Sequence, residues 1–444
     1  MRSNLAKVLH QLDGSPLINH VSKAAASLDP RKIYVVIGHQ GEEVEKVVLS
    51  ELGDELVEFP VQKEQLGTGD AVNSARGFLE NEDSILLVLS GDVPMIESAT
   101  LEKLVNQHKT ENAGCTILTV ELDDPTGYGR VVRDSKREFH KIVEQKDANE
   151  DELKVCEINS GIYCFNTKKL YEMLSNVSND NAQGEYYLTD VPKLMKQTGD
   201  FISLYKHNNR NEIEGINNRK QLAEMEKNLR KSVIEKTLLE SGATLIDPNN
   251  VYISKSAEIE RDTVIYPNVS IEGKTEIGEG CVIRSGTRIA DSKIGKNVVI
   301  LDNCVITNAK VENDCNVGPF AHLRPDAQMK EGARVGNFVE MKKTTLGRNS
   351  KANHLTYLGD ANIGENSNIG AGTITCNYDG VNKHSTEIGN DVKIGSDTML
   401  VAPVKVHDGA VTGAGSVVTK DISKNSLALG TPAKVVKNLA ENKD

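Results

Sequence analysis

Four neighbouring strings hold the densest chemistry in this sequence: "FAHLRPDA" (320–327), "NFVEMKKTTLG" (337–347), "KANHLTYLGD" (351–360) and "AGTITCNYDGVNKHSTE" (371–387). Arg324, Lys342 and Lys343 can meet an anionic ligand, since guanidinium and ammonium groups make charge-assisted bonds to phosphate and carboxylate. His354 can act as a base near neutral pH. A lone histidine is more often structural, but beside a cationic pair, Tyr357 and a polar loop it becomes a candidate for proton transfer. Earlier in the chain, Asp92 closes the apolar run "ILLVLSGD", where a carboxylate can hold a hard cation such as magnesium or simply cap a turn. Gly67, Thr68 and Gly69 open a helical stretch whose free N–H groups suit a nucleotide or phosphate, although G-T-G is equally a tight turn.

Two kinds of element must position these groups. From residue 32 to about 207, strand-like runs "KIYVVIG", "SILLVLSGD", "CTILTVEL", "INSGIYCFN" and "FISLYKH" alternate with segments of helical spacing such as "GDAVNSARGFLE" and "SATLEKLVNQHK". That alternation predicts an α/β, Rossmann-like domain with a mostly parallel sheet over residues 1–215, its ligands at the carboxyl ends of the strands. Residues 216–242 read as one amphipathic helix with Leu222, Met225, Leu229, Ile234 and Leu238 in a narrow stripe, stopped by Gly242. It is expected to be a linker lying on its neighbours, with a short coiled coil as the other possibility.

From residue 243 to 444 the period changes. Isoleucine stands at 253, 259, 265, 271, 277, 283 and 289, and the aliphatic series runs on through 294, 300, 306, 311 and 317 with one-residue slips. A helix repeats near 3.6 and a strand at 2, so a spacing of six predicts a hexapeptide β-helix in which each coil stacks its aliphatic residues on the coil below. Recurrent Ile-Gly and Val-Gly pairs, such as Ile277-Gly278 and Ile363-Gly364, are expected to use glycine's freedom at tight corners. The segment 371–387 breaks the hexad and is expected to be ejected as a functional loop.

Composition narrows the function classes. A net charge of -12 over 444 residues argues against a general nucleic-acid binder. The longest apolar run, "ILLVL", is far short of a membrane span, and the polar start does not suggest export. Seven scattered cysteines without C-x-x-C or zinc spacing read as free thiols in a reducing cytoplasm.

Together, "QLGTG", "GDVP", "GYGR", "EQKDA", "NAQGEYYLTD", "NNR", "GPFAHLRP", "GNFVEMKK", "HLTYLGDA" and "GAGTITCNYDG" closely resemble the bacterial bifunctional N-acetylglucosamine-1-phosphate uridyltransferase/glucosamine-1-phosphate acetyltransferase family, across nearly the whole chain. The resemblance implies an α/β nucleotidyltransferase domain followed by a left-handed parallel β-helix, assembled as a homotrimer with acetyltransferase sites between subunits. It implies acetyl transfer from acetyl-CoA to glucosamine-1-phosphate with His354 as general base. Arg324, Lys342, Tyr357, Asn368 and Lys383 would hold the sugar phosphate, with Asn377 and Tyr378 beside them. Asn377 and Tyr378, with Ala371, Ser396 and Ala414, would also line the acetyl-CoA site. In the first domain it implies uridylyl transfer from UTP to N-acetylglucosamine-1-phosphate, with Mg2+ on Asp92 and Asn217. Lys7, Gln62, Gly67, Thr68, Gly129, Glu144, Asn159 and Asn217 would contact nucleotide and sugar.

Two departures stand out. In the family a buried strand and a glycine-rich phosphate loop precede the lysine that Lys7 matches, so little or no uridylyl transfer, with acetyl transfer retained, is expected from the chain as written. Thr431 stands near the position of a CoA-contacting arginine, for which Lys434 or Lys437 would have to substitute. The competing expectations are a sugar-nucleotide pyrophosphorylase whose β-helix is only a trimerisation or regulatory module, and a non-enzymatic β-helix protein with a relic α/β domain. His354 and the polar loop disfavour the first, because a scaffold needs neither, and thiol release from acetyl-CoA in the presence of glucosamine-1-phosphate separates all three.

Overall fold

In the computed structural model, which describes residues 1–439, the chain divides into a first unit, Met1–Met225, and a second that begins at Glu226. The apolar runs of the first unit become the strands Ile85–Val88, Cys115–Glu121, Glu157–Asn166 and Ile202–His207 of a six-stranded sheet. Their buried side chains, among them Ile117, Leu118, Ile158 and Phe165, pack against helices such as Ser98–Thr110 through Leu101 and Leu104.

The sheet is not mostly parallel. Ile202–His207 runs parallel to Cys115–Glu121, but Glu157–Asn166 is antiparallel to both Ile85–Val88 and Cys115–Glu121. Parallel pairing needs a crossover of a dozen or more residues, usually a helix. Between 121 and 157 the chain instead forms the hairpin Arg130–Arg133 with Phe139–Val143, whose strands "GYGRVVR" and "KIVEQ" offer too short an apolar run to be recognised from sequence. A separate parallel pair, Ile33–Tyr34 with Val57–Glu58, stands apart from this sheet. Among the described residues no strand lies between that pair and Ile85–Val88. A cavity of about 1070 Å³ lined by Tyr34, Val36, Leu86 and Val88 occupies the space.

The long helix runs Arg219–Lys236, followed by a π-helical turn Thr237–Ser241 and a left-handed Gly242. Met225, Leu229 and Ile234 are buried while Leu238 is 42% exposed, so the apolar stripe ends one turn early. Ile234 and Val233 pack into the second unit's core, which makes this end of the helix a cap as well as a connector.

The second unit is a parallel β-solenoid. One of its faces is a nine-stranded sheet from Glu258–Ile259 to Val404–Val406, in which Ile259, Ile277, Ile294, Val311 and Met329 stand in register. The aliphatic column is almost wholly buried, and a second column of small residues fills the space beside it: Thr263, Cys281, Val298, Cys315, Ala333, Ser350, Ser367, Val392 and Ala410. All seven cysteines are free thiols, and burial pushes the Cys304 and Cys315 thiols up to about 11.

The glycines of the Ile-Gly pairs do not work as expected. Only Gly318 among those pairs has a left-handed φ, and the left-handed corners belong mainly to Asn, Asp and a different set of glycines, such as Asn297, Asn303 and Asp314. Asparagine and aspartate tolerate that region through local hydrogen bonding. The paired glycines, and Gly347 after Leu346 at an equivalent place, answer instead to the stacking distance. A Cβ on Gly347 would lie 2.2 Å from the Gly364 carbonyl oxygen, and one on Gly336 would lie 1.9 Å from that of Asn353.

Candidate functional site

One corner of the solenoid breaks its own rule. At successive coils this corner carries Gly286, Asn303, Phe320, Phe338, Leu355, Gly372, Asp397 and Gly415, all at positive φ. Bulky residues cost about 1–2 kcal/mol each in the left-handed region, and here three in succession accept it. The Phe320 and Phe338 rings stack at 5.4 Å, and both, with Leu355, are exposed by half or more. Backbone strain concentrated beside chemically capable side chains points to function.

Just before the corner, register stacks another column. Asn337 pairs with His354, the next coil places Ala371 beyond it, and the backbone bonds Asp397 N–H to Ala371 O (2.7 Å) and Gly415 N–H to Ser396 O (2.8 Å) carry the column through Ser396 and Ala414. The exposed imidazole of His354 therefore begins a run of small residues along one edge. Its Nδ1 lies 2.7 Å from Asn337 Oδ1. An amide oxygen can only accept, so in the neutral ring the proton sits on Nδ1 and Nε2 presents the lone pair. Asn337 lies inside a string already singled out, one 17-residue step below His354, and the coil length is the signal that finds it.

Beyond the corner lies the cationic group. Arg324 and Lys342 occupy adjacent coils, and Tyr357 pairs with Glu340 on the coil between them and the loop. Arg324 Nη1 is 2.8 Å from Glu340 Oε1. The nearby Lys383 ammonium, with Arg324 also near, pulls the Lys342 ammonium below the ordinary lysine range. Such a cluster is electrostatically unfavourable when empty and favours a dianion. Lys343 turns the next corner at a φ of 46° and is outside this group. Asn368 is not with the cluster by register either: it pairs with Lys351, on the face that carries His354. The loop is shorter than its sequence suggests. Ile374–Cys376 stays in the coil, paired with Met399–Val401, and the ejected part begins at Asn377. Thr431 Oγ1 bonds the carbonyl of Gly415, next to Ala414, and Lys434 and Lys437 lie on the terminal hairpin beyond it.

In the first unit, Lys7, Gln62, Thr68, Gly129, Glu144 and Asn159 line the same large cavity. Gln62 Nε2 donates to Asp70 Oδ2 (2.8 Å) and to the Gly67 carbonyl (3.3 Å), and a Cβ on Gly67 would meet the Tyr186 carbonyl at 2.7 Å. Asn159 Nδ2 is held by the buried Tyr163 hydroxyl. Lys7 Nζ donates to Asp92 Oδ2 at 2.6 Å and to Asn217 Oδ1 at 3.1 Å. An ammonium bridging one carboxylate and one amide oxygen is a stand-in cation, and this all-oxygen pair fits magnesium, which takes few protein ligands.

Burial raises the Glu144 carboxyl above its usual range, partly offset by the Thr189 hydroxyl. The folded carboxyl then keeps its proton to higher pH than the unfolded one, so ionisation destabilises the fold. The penalty is absent below about pH 4.3, the unfolded value, and grows as pH rises through the folded value. Glu144→Gln is therefore expected to raise the thermal midpoint at pH 8 and leave it unchanged at pH 4, read by calorimetry.

Known proteins place both units. The nucleotidyl transferase family model matches residues 2–209, and the bacterial transferase hexapeptide model (six repeats) matches 256–291 and 385–420. The bifunctional protein GlmU of Shouchella clausii is 44% identical over 444 residues, 100% of this chain and 96% of its own length. GlmU of Geobacillus sp. strain WCH70 is 46% identical over 437 residues (98% and 94%), and that of Heliobacterium modesticaldum 47% over 429 (97% and 92%). A solved UDP-glucose pyrophosphorylase bound to UDP-glucose aligns with 51% of this chain and 90% of its own at 14% identity and a TM-score of 0.40, too slight a likeness to bear on the chemistry.

Proposed function

The chain belongs to the bifunctional GlmU family, and from that membership we propose that it is a two-site transferase making a UDP-linked N-acetylamino sugar. The solenoid would move an acetyl group from acetyl-CoA to the amine of glucosamine-1-phosphate. The first unit would join the product to a uridylyl group from UTP, releasing pyrophosphate.

The observation that carries the acetyltransferase reading is the column Asn337, His354, Ala371, Ser396, Ala414, because it aligns an oriented base with a track of small side chains. An amine attacks a thioester only when neutral, so a base must take its proton as the C–N bond forms and the CoA thiolate leaves. His354 Nε2 would take that proton, with Nδ1 anchored on Asn337. The small residues would admit the thin pantetheine arm, and Thr431, Lys434 or Lys437 would meet CoA's phosphates. Arg324, Lys342 and Lys383 would hold the sugar phosphate, with Tyr357 and Asn377 beside it.

In one copy, His354 and the cation cluster lie on opposite sides of the Phe320–Phe338–Leu355 ridge. A homotrimer that buries this exposed ridge would bring the base of one subunit to the cations of another, and Asn368 would serve from the His354 side. In the first unit, Asp92 and Asn217 would hold Mg2+, which neutralises charge on the phosphates when bound. Lys7 would then turn from these oxygens to the phosphate, while Gln62, Gly67 and Thr68 approach the base and Gly129, Glu144 and Asn159 the sugar. No helix among the described residues is long and apolar enough to cross a membrane, and UTP, acetyl-CoA and unpaired thiols together suit the cytoplasm.

Free thiol released from acetyl-CoA tests the acetyltransferase reading. Release is expected to require glucosamine-1-phosphate and to fail with glucosamine. Release that ignores the phosphate would overturn it.

A further inference from the structure

The loop that carries Lys383 is tied down by a side-chain contact at its tip. Ala361 pairs with Thr386, 25 residues on, where Thr345 pairs with Asn362, 17 on, so this coil holds an insertion. The insertion folds back as a narrow hairpin: Tyr378 bridges Lys383 antiparallel, and His384 N–H donates to the Asn377 carbonyl at 2.8 Å. Asp379 organises its tip. One carboxylate oxygen accepts the backbone N–H groups of Val381 (2.8 Å) and Asn382 (2.6 Å), and the other lies 2.7 Å from His384 Nε2. These bonds, the His384 contact foremost, hold the Asp379 carboxyl down at about 2. At the hairpin's base, Asn377 Nδ2 is anchored on Asp360.

Successive residues of an extended strand point to opposite sides. With His384 fastened to Asp379 on one side of the hairpin, its neighbour Lys383 is turned to the other, where its ammonium meets that of Lys342. Two ammonium groups repel, and an exposed lysine on an insertion would ordinarily swing away into water. The groups that face the pair are Arg324, which adds repulsion, and the Asp360 carboxylate, which relieves part of it. Something must hold Lys383 in place before a ligand arrives, and the Asp379–His384 contact is the side-chain tie next to it.

We propose that Asp379 and His384 are positioning residues: their contact fixes the loop so that Lys383 and Lys342 stand ready as one cationic clamp for the sugar phosphate. The proposal rests on the acetyltransferase reading for its substrate, and for the clamp on the hydrogen bonds of the loop together with the electrostatic proximity of Lys383 to Lys342. Its consequence is a KM effect. Holding Lys383 in advance removes the cost of ordering a long side chain and its loop on binding, while the acetyl-transfer step, which proceeds at His354, is untouched.

The test uses the full-length protein. His384→Phe keeps a ring of similar size and removes the nitrogen. It is expected to raise KM for glucosamine-1-phosphate about three- to tenfold with kcat unchanged, and His384→Gln, which restores an N–H donor, is expected to recover most of the loss. In a Lys383→Ala background, His384→Phe should add nothing, because the tie then has no cation to place. An equal KM penalty in that background, or none in the single variant, overturns the proposal.

A second readout does not depend on the reaction. With lysines dimethylated using 13C-formaldehyde, the Lys342 resonance, assigned by its loss in Lys342→Arg, should titrate below an ordinary lysine. It should return toward the ordinary value in both His384→Phe and Lys383→Ala. If it moves in Lys383→Ala but not in His384→Phe, the tie does not place Lys383. If it moves in both while no acetyl transfer to glucosamine-1-phosphate occurs, the clamp stands and the substrate reading fails.

Discussion

His354→Ala is expected to lower kcat for acetyl transfer by about 10²–10⁴-fold, the usual worth of a positioned general base, with the thermal midpoint unmoved. The two halves of that expectation have separate causes. The imidazole is exposed and its side-chain hydrogen bond is to the amide of Asn337, so its removal opens no cavity and strands no buried group. The chemistry, by contrast, has no other base in that column, because Ala371, Ser396 and Ala414 follow it. Asn337→Asp sharpens the test. A carboxylate in place of the amide stabilises the protonated ring, so the pH at which activity appears should move upward. Steady-state kinetics against pH, with calorimetry on the same samples, checks both.

Gly347→Ala is expected to destabilise the solenoid by about 3–5 kcal/mol, although it adds a single methyl group. The methyl would sit 2.2 Å from the Gly364 carbonyl oxygen and 2.4 Å from its carbonyl carbon, and backbone cannot yield as a flexible side chain can. The coils would have to part, opening the hydrogen bond from Gly347 N–H to Ile363 O. Gly415→Ala is the control. Nothing lies within 4 Å of its new methyl, and its cost is the left-handed φ of 70°, about 1–2 kcal/mol. Thermal midpoints of the two variants should therefore separate widely. Equal losses would mean that corner conformation, not stacking distance, is what these glycines serve.

Much of this fold is written openly in the chain. The six-residue aliphatic ladder is legible because each coil must put one such side chain on the last, and every copy from Ile259 to Met329 does so. The purpose of the Ile-Gly glycines is not legible, because one residue type answers two demands, an allowed φ and a close neighbour, and only coordinates distinguish them. The parallel sheet was the wrong expectation for a related reason. Apolar runs report burial and not direction, and the hairpin around 130–143 that reverses the chain has strands only four and five residues long. At the site, the residues that bear charge stand out by type: His354, Arg324, Lys342, Asp92. Their partners do not. Asn337, Glu340, Asp379 and Thr189 are ordinary polar residues whose importance comes from register or from a fold-back, and Asn368 shows the converse, a residue grouped with the cations by its motif that the coil places on the other face.

The central claim is that an oriented imidazole and a cation clamp meet around one amino-sugar phosphate. A crystal structure with glucosamine-1-phosphate and desulfo-CoA tests it most directly. The phosphate is expected on Arg324, Lys342 and Lys383 of one subunit, with the amine within hydrogen-bond distance of His354 Nε2 and the CoA arm along Ala371, Ser396 and Ala414. An amine that lies out of reach of every His354 in the assembly, with the sugar phosphate fully bound, would contradict it.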